Sequence, residues 1–170
     1  MNASSPLAFL DPFAAGWRAP AVIALLMLCA VLPGLFAMPP LDRDESRFAQ
    51  ATTQMFETGD FVRISFQDEP RHKKPVGIHW LQAVTVAATG GPEARAIWAY
   101  RLPSLAGGVL AALATFWIGA RLANRRVGLL AGAALGVSVL LSTEAGIAKT
   151  DAMLCGLITL SFAGLAGLRT

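Results

Sequence analysis

The sequence predicts an all-α, polytopic integral membrane protein, and three observations support that fold class. Of the 170 residues, 55% are apolar and only 15% are charged, against about a quarter charged in an average soluble domain. The mean hydropathy of +0.54 excludes a disordered chain, a coiled coil and a nucleic-acid-binding arm. The apolar residues fall in runs close to the ~20 residues that a membrane-spanning helix needs. We therefore expect about four spans, with two further helices lying along the membrane surface in the first external loop.

The first predicted span covers residues 19–38 and follows a tail, residues 1–18, that is expected to be cytoplasmic. Pro33 lies near the far end of this run and predicts a kink there. A cleaved signal peptide is the alternative, because Arg18 precedes the run. The run is longer than a typical signal core and leads into a poor cleavage site, which favours an uncleaved span.

Three further apolar runs predict spans at residues 102–120, 127–143 and 152–168. These runs are rich in small residues. Gly128, Gly132 and Gly136 recur at every fourth position, a spacing that allows a partner helix to approach closely. Cys29 and Cys155 both lie within apolar runs, so we expect packed thiols and not a disulfide or a metal pair.

The short loops orient the chain. The link between the second and third predicted spans carries Arg121, Arg125 and Arg126 and no acidic residue, which places it in the cytoplasm by the positive-inside rule. Counting spans outward from that link, the N-terminus is cytoplasmic. Residues 41–100 then form an external or periplasmic loop.

The external loop, residues 41–100, is densely charged yet neutral, with eight basic residues (counting an arginine at its far edge) and eight acidic ones. Between residues 44 and 58 the apolar positions recur at helical spacing, which predicts an amphipathic surface helix. Asp42 and Glu45 fit a capping box at its start, and Gly59 fits the stop at its end.

A second surface helix is predicted to begin at Pro75, a favourable first-turn residue, and to end at Gly90. It is too short to cross a membrane. Residues 61–74, between the two helices, show no period and predict an irregular loop. Basic runs with interleaved aromatic residues are missing from the sequence, which excludes nucleic acid as a partner.

Asp44 and Glu45 form an acidic pair a few residues beyond the first span. Such a pair can act as a general base or bind a cation, or it can simply complement the dipole of the helix that it begins. Arg47 follows on the same helical face as Asp44. It is either a phosphate ligand or the partner in a surface ion pair worth under about 1 kcal/mol.

The densest positive run, residues 71–75, contains Lys73 and Lys74 and stands directly before a helix. Basic side chains oppose the dipole at a helix N-terminus, so an anion bound there would offset the cost. Adhesion to lipid headgroups is the alternative. Asp151 lies between the third and fourth spans, where charges are costly and mark functional sites, although a plain loop with snorkelling ends is the other interpretation. His79, and His72 in the basic run, are weak metal candidates.

Taken in order, these motifs resemble those of the membrane-embedded lipid-linked sugar transferases of the GT-C class, among them bacterial aminoarabinose transferases and protein O-mannosyltransferase-like enzymes. The motifs are LDRDESRFAQ, EPRHKKPVGIHW, RLPSLAGG, ARLANRR and AKTDAML. The resemblance covers about residues 20–168. It implies inverting transfer of a sugar from a polyprenyl-phosphate carrier to a lipid, glycan or protein acceptor outside the cytoplasm, in a bacterial inner membrane.

The resemblance also implies roles for single residues. Asp44 matches the family's catalytic or acceptor-orienting carboxylate, and Glu45 follows it as in the family's Asp-Glu pair. Lys74 matches the lysine that neutralises the carrier phosphate. Arg47 and Asp151 match positions that the family keeps near its cavity.

Two further implications concern cofactors and partners. Lys73 stands where some relatives carry an acidic metal ligand, which puts a divalent metal in doubt and leaves no certain cofactor. Family enzymes have about a dozen spans, so this chain is expected to be an N-terminal portion. Its expected partners are the polyprenyl-phosphate donor, membrane lipids and the remaining spans of the same protein.

A non-catalytic membrane module is the alternative from another functional class. In that case the chain would be an assembly subunit or a transporter fragment, and its charged loop would bind lipid headgroups. Geometry distinguishes the two, because an enzyme needs Asp44, Lys74 and Asp151 around one cavity at the membrane edge, whereas a headgroup-binding loop does not.

Overall fold

The chain folds as helices with almost no sheet, which confirms the predicted all-α class. The computed structural model describes residues 8–41, 43–71 and 73–168. Over these residues the elements are α1 (Asp11–Ala14), α2 (Arg18–Ala37), α3 (Arg43–Thr58), β1 (Ser65–Phe66), β2 (Glu69–Pro70), α4 (Gly77–Ala88), α5 (Ile97–Leu122), α6 (Arg125–Gly136), α7 (Val139–Ala145) and α8 (Asp151–Leu168). Short 3₁₀ turns, Ala8–Leu10 and Pro92–Ala94, precede α1 and α5.

Three helices, α2, α5 and α8, are long and apolar enough to cross a membrane. Helices α6 and α7 together make a fourth candidate, bent by 60° at the break between them. The sequence predicted one continuous span over residues 127–143. Ser138 interrupts it, because its backbone is extended and its hydroxyl accepts the backbone N–H of Leu141 at 3.4 Å, so that it caps a new helix. The protein is therefore a multi-pass membrane protein whose described residues contain three candidate spans, or four if the bent pair counts as one.

Helix α5 lies at the centre, and glycines let its neighbours approach its backbone. A Cβ on Gly156 of α8 would stand 2.4 Å from the carbonyl oxygen of Gly107 in α5. On α6, a Cβ on Gly128 would stand 2.5 Å, and one on Gly132 2.8 Å, from carbonyl oxygens of α5. The close approach predicted from the glycine spacing is thereby confirmed at these two positions, whereas Gly136 makes only ordinary contacts.

Helix α2 buries one stripe against α5 and α6 and leaves its other faces exposed. The buried stripe recurs at every fourth residue and consists of Ala19, Ile23, Met27, Val31 and Leu35. Large apolar side chains such as Leu25 and Phe36 are exposed on the remaining surface. Exposed apolar residues of this size on a spanning helix suit contact with lipid or with further helices.

Helix α3 is amphipathic, as the sequence predicted. It buries Phe48, Ala51 and Met55 and ends at Thr58. The next residue, Gly59, has a φ of +70°, the left-handed conformation that favours glycine at a helix stop. Asp42, the other half of the predicted capping box, lies outside the described residues.

The segment predicted as an irregular loop contains a short hairpin, so that prediction was wrong at β1 and β2. Strands β1 and β2 pair antiparallel around a turn in which Gln67 has a φ of +57°. Gln54 of α3 holds this turn, because its side-chain amide donates to the carbonyl oxygen of Gln67 at 3.0 Å and accepts the N–H of the same residue at 2.9 Å. The hairpin depends on this side chain from another element, which local sequence does not reveal.

Helix α4 packs on the start of α5, where one backbone carbonyl of α5 has no hydrogen-bond partner within its own helix. Pro103 has no N–H to donate to the carbonyl four residues earlier, that of Ala99. Thr85 of α4 fills the gap by donating its hydroxyl to the Ala99 oxygen at 2.8 Å. This docking places the segment before α4 at the same end of the bundle as the start of α5.

Two arginines bind the segment before α2 at the end of the bundle where α5 ends and α6 begins. Arg125 donates to the carbonyl oxygens of Ala14 and Gly16, both at 2.6 Å, and Arg126 forms an ion pair with Asp11. The arginine-rich link between α5 and α6 thus binds the segment that precedes α2. The predicted cytoplasmic end therefore has its own set of charged contacts, separate from those of the external loop.

Candidate active site

Lys74 and Asp151, two of the predicted site residues, meet at the other end of the bundle. The Lys74 Nζ atom lies 3.6 Å from a carboxylate oxygen of Asp151, and the side chains are 41% and 51% exposed. Lys74 precedes α4, and Asp151 is the first residue of α8. Because both groups are about half exposed, each can contact a ligand as well as its partner.

Asp44 and Arg47 form a second ion pair on the first turn of α3. The Arg47 Nη1 atom lies 3.4 Å from an oxygen of Asp44, whose side chain is 54% exposed. The pair matches the helical spacing predicted from the sequence. The Asp44 carboxylate is thus open to solvent at the membrane-proximal end of the loop, next to a cation.

Arg101, in the first turns of α5, is 1% exposed and uses all five of its N–H donors. Its Nη1 group donates to the carbonyl oxygens of Leu35 and Met38, both at 2.8 Å. Its Nη2 group donates to the carbonyl oxygen of Pro39 and to Glu45 Oε2, both at 3.1 Å, and its Nε donates to Glu45 Oε1 at 2.7 Å. The guanidinium therefore caps the C-terminus of α2, where unpaired carbonyls and the helix dipole attract a cation.

Glu45 completes this buried cluster. Its side chain has no exposed surface. Oε1 accepts the backbone N–H of Ala148 at 3.0 Å in addition to Arg101, and Oε2 accepts the N–H of Leu41 at 3.2 Å. Each carboxylate oxygen thus accepts two hydrogen bonds from the protein. We call Glu45 and Arg101 the buried clamp.

The buried clamp fixes the relative positions of the two predicted acids. Asp44 is adjacent to Glu45 in the chain, and Asp151 follows Ala148 by three residues. Since Glu45 binds both Arg101 and the Ala148 amide, the first turn of α3 is tied to the segment that leads into α8. Asp44, Lys74 and Asp151 consequently lie at one end of the bundle.

Arg101 was not among the predicted site residues and entered the prediction only as a charge at the edge of the loop. A signal was available, because Arg101 begins a run that is otherwise apolar, and an arginine near a span needs a partner. Its partner, Glu45, lies 56 residues earlier. Nothing local identifies that pairing.

Arg47 and Lys73 line a cavity of about 420 Å³ together with a third cation, Arg71. The guanidinium of Arg71 lies 5.2 Å from the ring centroid of Phe48, a cation–π arrangement. Its Nε is buried and has no hydrogen-bond partner among the described residues. Two carboxylates also line the cavity, so three cations face two anions. We call it the basic cavity, and its excess positive charge suits an anionic ligand.

His79 is fully buried and is held in one tautomer. Thr52 donates its only hydroxyl proton to Gln82 Oε1 at 2.7 Å, so His79 Nδ1 must be the donor in its 2.8 Å contact with Thr52. The ring stacks on Phe48, with centroids 5.3 Å apart. Burial, with the positive charge of Arg71, lowers the pKa of His79 to about 4. His79 is therefore neutral at pH 7.

No cluster of three or more His, Cys, Asp or Glu side chains suited to a metal ion occurs within residues 8–41, 43–71 and 73–168. His72, the other weak metal candidate, lies outside those ranges. Lys73 lines the basic cavity. Cys29 and Cys155 are both free thiols.

Comparison with known proteins gives one partial match. The chain is 31% identical over 108 residues to the undecaprenyl phosphate-alpha-4-amino-4-deoxy-L-arabinose arabinosyl transferase of Edwardsiella ictaluri (strain 93-146). The match covers 64% of this chain but only 18% of that protein, so it spans less than a fifth of the relative's length. No protein-family model and no solved structure matches the chain. At this coarse level the match agrees with the resemblance to GT-C glycosyltransferases.

Proposed function

We propose that the chain is the N-terminal part of a membrane glycosyltransferase. In this proposal a sugar moves from a polyprenyl-phosphate carrier to an acceptor outside the cytoplasm, with inversion at the anomeric carbon. The observation that supports the proposal is that the Asp44–Arg47 and Lys74–Asp151 ion pairs lie at one end of the bundle, where Arg47 and Lys73 line a cavity with excess positive charge. The partial match to a transferase whose name includes undecaprenyl phosphate supports the same assignment.

Asp44 is the proposed catalytic carboxylate. It is exposed enough to reach an acceptor hydroxyl, and a carboxylate can align that hydroxyl and take its proton. The acceptor oxygen forms the new bond to the anomeric carbon. The bond from that carbon to the carrier phosphate breaks, and the phosphate leaves with the bonding electrons.

Cations stabilise the charge that develops on the departing phosphate. Lys74 is held by Asp151 and remains 41% exposed, so its ammonium can contact the phosphate. Arg47 and Lys73 line the adjacent basic cavity and add positive charge. In this proposal Asp151 orients Lys74 through their ion pair.

Glu45 takes a positioning role in this proposal, in place of the catalytic role that the sequence suggested. Its carboxylate has no exposed surface, and each oxygen already accepts two hydrogen bonds from the protein. It cannot contact a substrate without breaking those bonds. Through Arg101 and Ala148 it holds the helix on which Asp44 lies.

Binding and transfer test different parts of this proposal. Asp44→Asn is expected to bind undecaprenyl phosphate in lipid nanodiscs within about twofold of the wild type. It should lose at least ~100-fold in sugar transfer measured in the native membrane, the contribution typical of general base catalysis. Lys74→Gln is expected to weaken undecaprenyl phosphate binding several-fold. Arg63→Gln, which removes a loop cation outside the basic cavity, serves as the matched control.

Two results would contradict these assignments. If transfer persists in Asp44→Asn, the carboxylate is not catalytic, and a non-catalytic module with a headgroup-binding loop accounts for the chain better. If Lys74→Gln and Arg63→Gln affect binding equally, Lys74 has no specific contact with the phosphate.

The proposed location is a bacterial inner membrane, with the site on the outer side and the N-terminus in the cytoplasm. The arginine-rich link at the opposite end of the bundle supports this orientation. With Cys29 and Cys155 replaced by alanine, Asp68→Cys should react with a membrane-impermeant maleimide in intact spheroplasts. Arg121→Cys should react only after permeabilisation, and the reverse pattern would invert the topology.

A further inference from the structure

A second cavity, of about 480 Å³, lies against another face of α3. It shares no lining residue with the basic cavity. Ser46, Gln50, Thr53 and Glu57 form its α3 wall, and this spacing places the four side chains on one helical face. We call it the outer cavity.

The segment that leads into α5 forms the facing wall of the outer cavity. Arg95 of this segment has a φ of +47°, a left-handed conformation that is costly for a residue with a side chain. Its N–H donates to the carbonyl oxygen of Pro92 at 3.1 Å, which fixes the turn. Tyr100, which is only 5% exposed, joins the two walls, because its hydroxyl lies 2.8 Å from that of Thr53. The concave shape is therefore built by packed elements on both sides.

The polar groups of the outer cavity match the hydrogen-bonding needs of a polyhydroxylated ligand. The Ser46 hydroxyl and the Gln50 amide can each donate and accept, and the hydrogen-bonded pair of Thr53 and Tyr100 keeps one hydroxyl proton and free lone pairs for a ligand. A sugar hydroxyl also donates and accepts, so it can pair with any of these groups.

The charges of the outer cavity select against anions. Glu57 and Glu93 face one cation, Arg95. Within the described ranges, no ion pair joins any of these three to another residue. The balance is the reverse of that in the basic cavity, where three cations face two carboxylates.

We propose that the outer cavity binds a neutral or cationic, polyhydroxylated group such as a sugar. The inference rests on the cavity alone. Its α3 wall extends from Ser46 to Glu57, about 16 Å at the rise of a helix. Ser46 is two residues from Asp44, so its side chain lies on a different face of α3 from the Asp44–Arg47 pair, and the outer cavity is separate from the proposed catalytic carboxylate.

Direct binding of simple sugars tests this inference without any need for turnover. The full chain in lipid nanodiscs is titrated with methyl glucoside, glucosamine and glucuronate, which are neutral, cationic and anionic, and binding is followed by saturation-transfer NMR. We expect glucosamine and methyl glucoside to bind at least about fivefold more tightly than glucuronate. The double variant Glu57→Gln/Glu93→Gln should weaken glucosamine about two- to fivefold, as the loss of exposed charge pairs predicts, and leave methyl glucoside unchanged.

Two further variants complete the test. Thr53→Val/Tyr100→Phe should weaken all three sugars, because the hydroxyl pair is removed. Asp11→Asn/Asp60→Asn makes the same change in charge outside both the outer cavity and the basic cavity and should leave the order of the sugars as it is. Circular dichroism confirms that each variant keeps its helices.

Each contrary outcome overturns the inference. The inference is wrong if glucuronate binds as tightly as glucosamine. It is also wrong if the cavity variants do not change the affinity for any sugar, or if Glu57→Gln/Glu93→Gln leaves the preference for glucosamine unchanged. Failure here is distinct from failure of the proposed function. Sugar binding that obeys the predicted order, together with undiminished transfer in Asp44→Asn, refutes only the proposed function.

Discussion

Replacement of Arg101 by methionine tests the buried clamp most directly. The substitution keeps much of the side-chain volume and removes the charge and all five donors. It leaves the Glu45 carboxylate, which has no exposed surface, without its cation. Breaking a buried ion pair from one side costs about 3 to 5 kcal/mol. The carbonyl of Leu35, a residue that is also fully buried, loses its partner for about 1 to 3 kcal/mol more.

The carbonyls of Met38 and Pro39 add little to this sum, because these residues are exposed and water can replace the guanidinium. The expected loss in the free energy of unfolding is therefore about 4 to 8 kcal/mol, a large share of the ~5 to 15 kcal/mol of a typical domain. Arg101→Met/Glu45→Gln leaves no buried charge and should cost clearly less than the sum of the two single substitutions.

Unfolding in mixed detergent micelles, followed by tryptophan fluorescence, measures these free energies. Arg121→Met on the same helix is the matched control, since Arg121 is exposed and packs on the ring of Trp117; it should cost under about 1 kcal/mol. The reasoning is refuted if Arg101→Met costs no more than Arg121→Met. It is equally refuted if the effects of Arg101→Met and Glu45→Gln simply add.

Three more predictions follow from other parts of the structure. In the folded chain the pKa of His79 is lowered to about 4. As pH falls, the unfolded chain therefore takes up a proton on this histidine before the folded chain does. The contribution to the free energy of unfolding is fully present above about pH 6.5 and should fall by up to about 3 kcal/mol towards pH 4. His79→Gln should remove that part of the pH dependence, and equal slopes in the two proteins would contradict the assignment. Gly156→Ala should cost about 1 to 3 kcal/mol of unfolding free energy through its clash with the α5 backbone, whereas Gly164→Ala, with nothing within 4 Å, should cost nothing. Lys74→Gln should change stability by less than about 1 kcal/mol, since its ion pair is half exposed; a larger loss would show that the lysine is structural.

The elements that the sequence predicted well are those whose cause is local. The apolar runs of α2, α5 and α8 and the amphipathic pattern of α3 follow from residues adjacent in the chain. Gly59 could be assigned as a helix stop because the assignment depends only on the left-handed conformation of its own backbone. The glycine spacing of α6 predicted close packing, because a missing side chain permits it whatever the partner is.

The elements that the sequence did not predict depend on which of several partners a single polar side chain takes. The break before α7 requires the Ser138 hydroxyl to cap rather than to continue a helix. The hairpin of β1 and β2 requires Gln54 from α3. In both cases a polar side chain had a local alternative, and packing decided between the alternatives.

The candidate site likewise has some features with local causes and others with long-range causes. The sequence by itself determined the membrane class, the charged loop between the first two spans and the residue types that suit phosphate and proton chemistry. Only the tertiary structure decided that Glu45 is buried while its neighbour Asp44 is exposed. The physical reason is distance along the chain: Glu45 meets Arg101 across 56 residues and Ala148 across 103, and a hydrophobic pattern specifies which face is buried but not which buried charges meet.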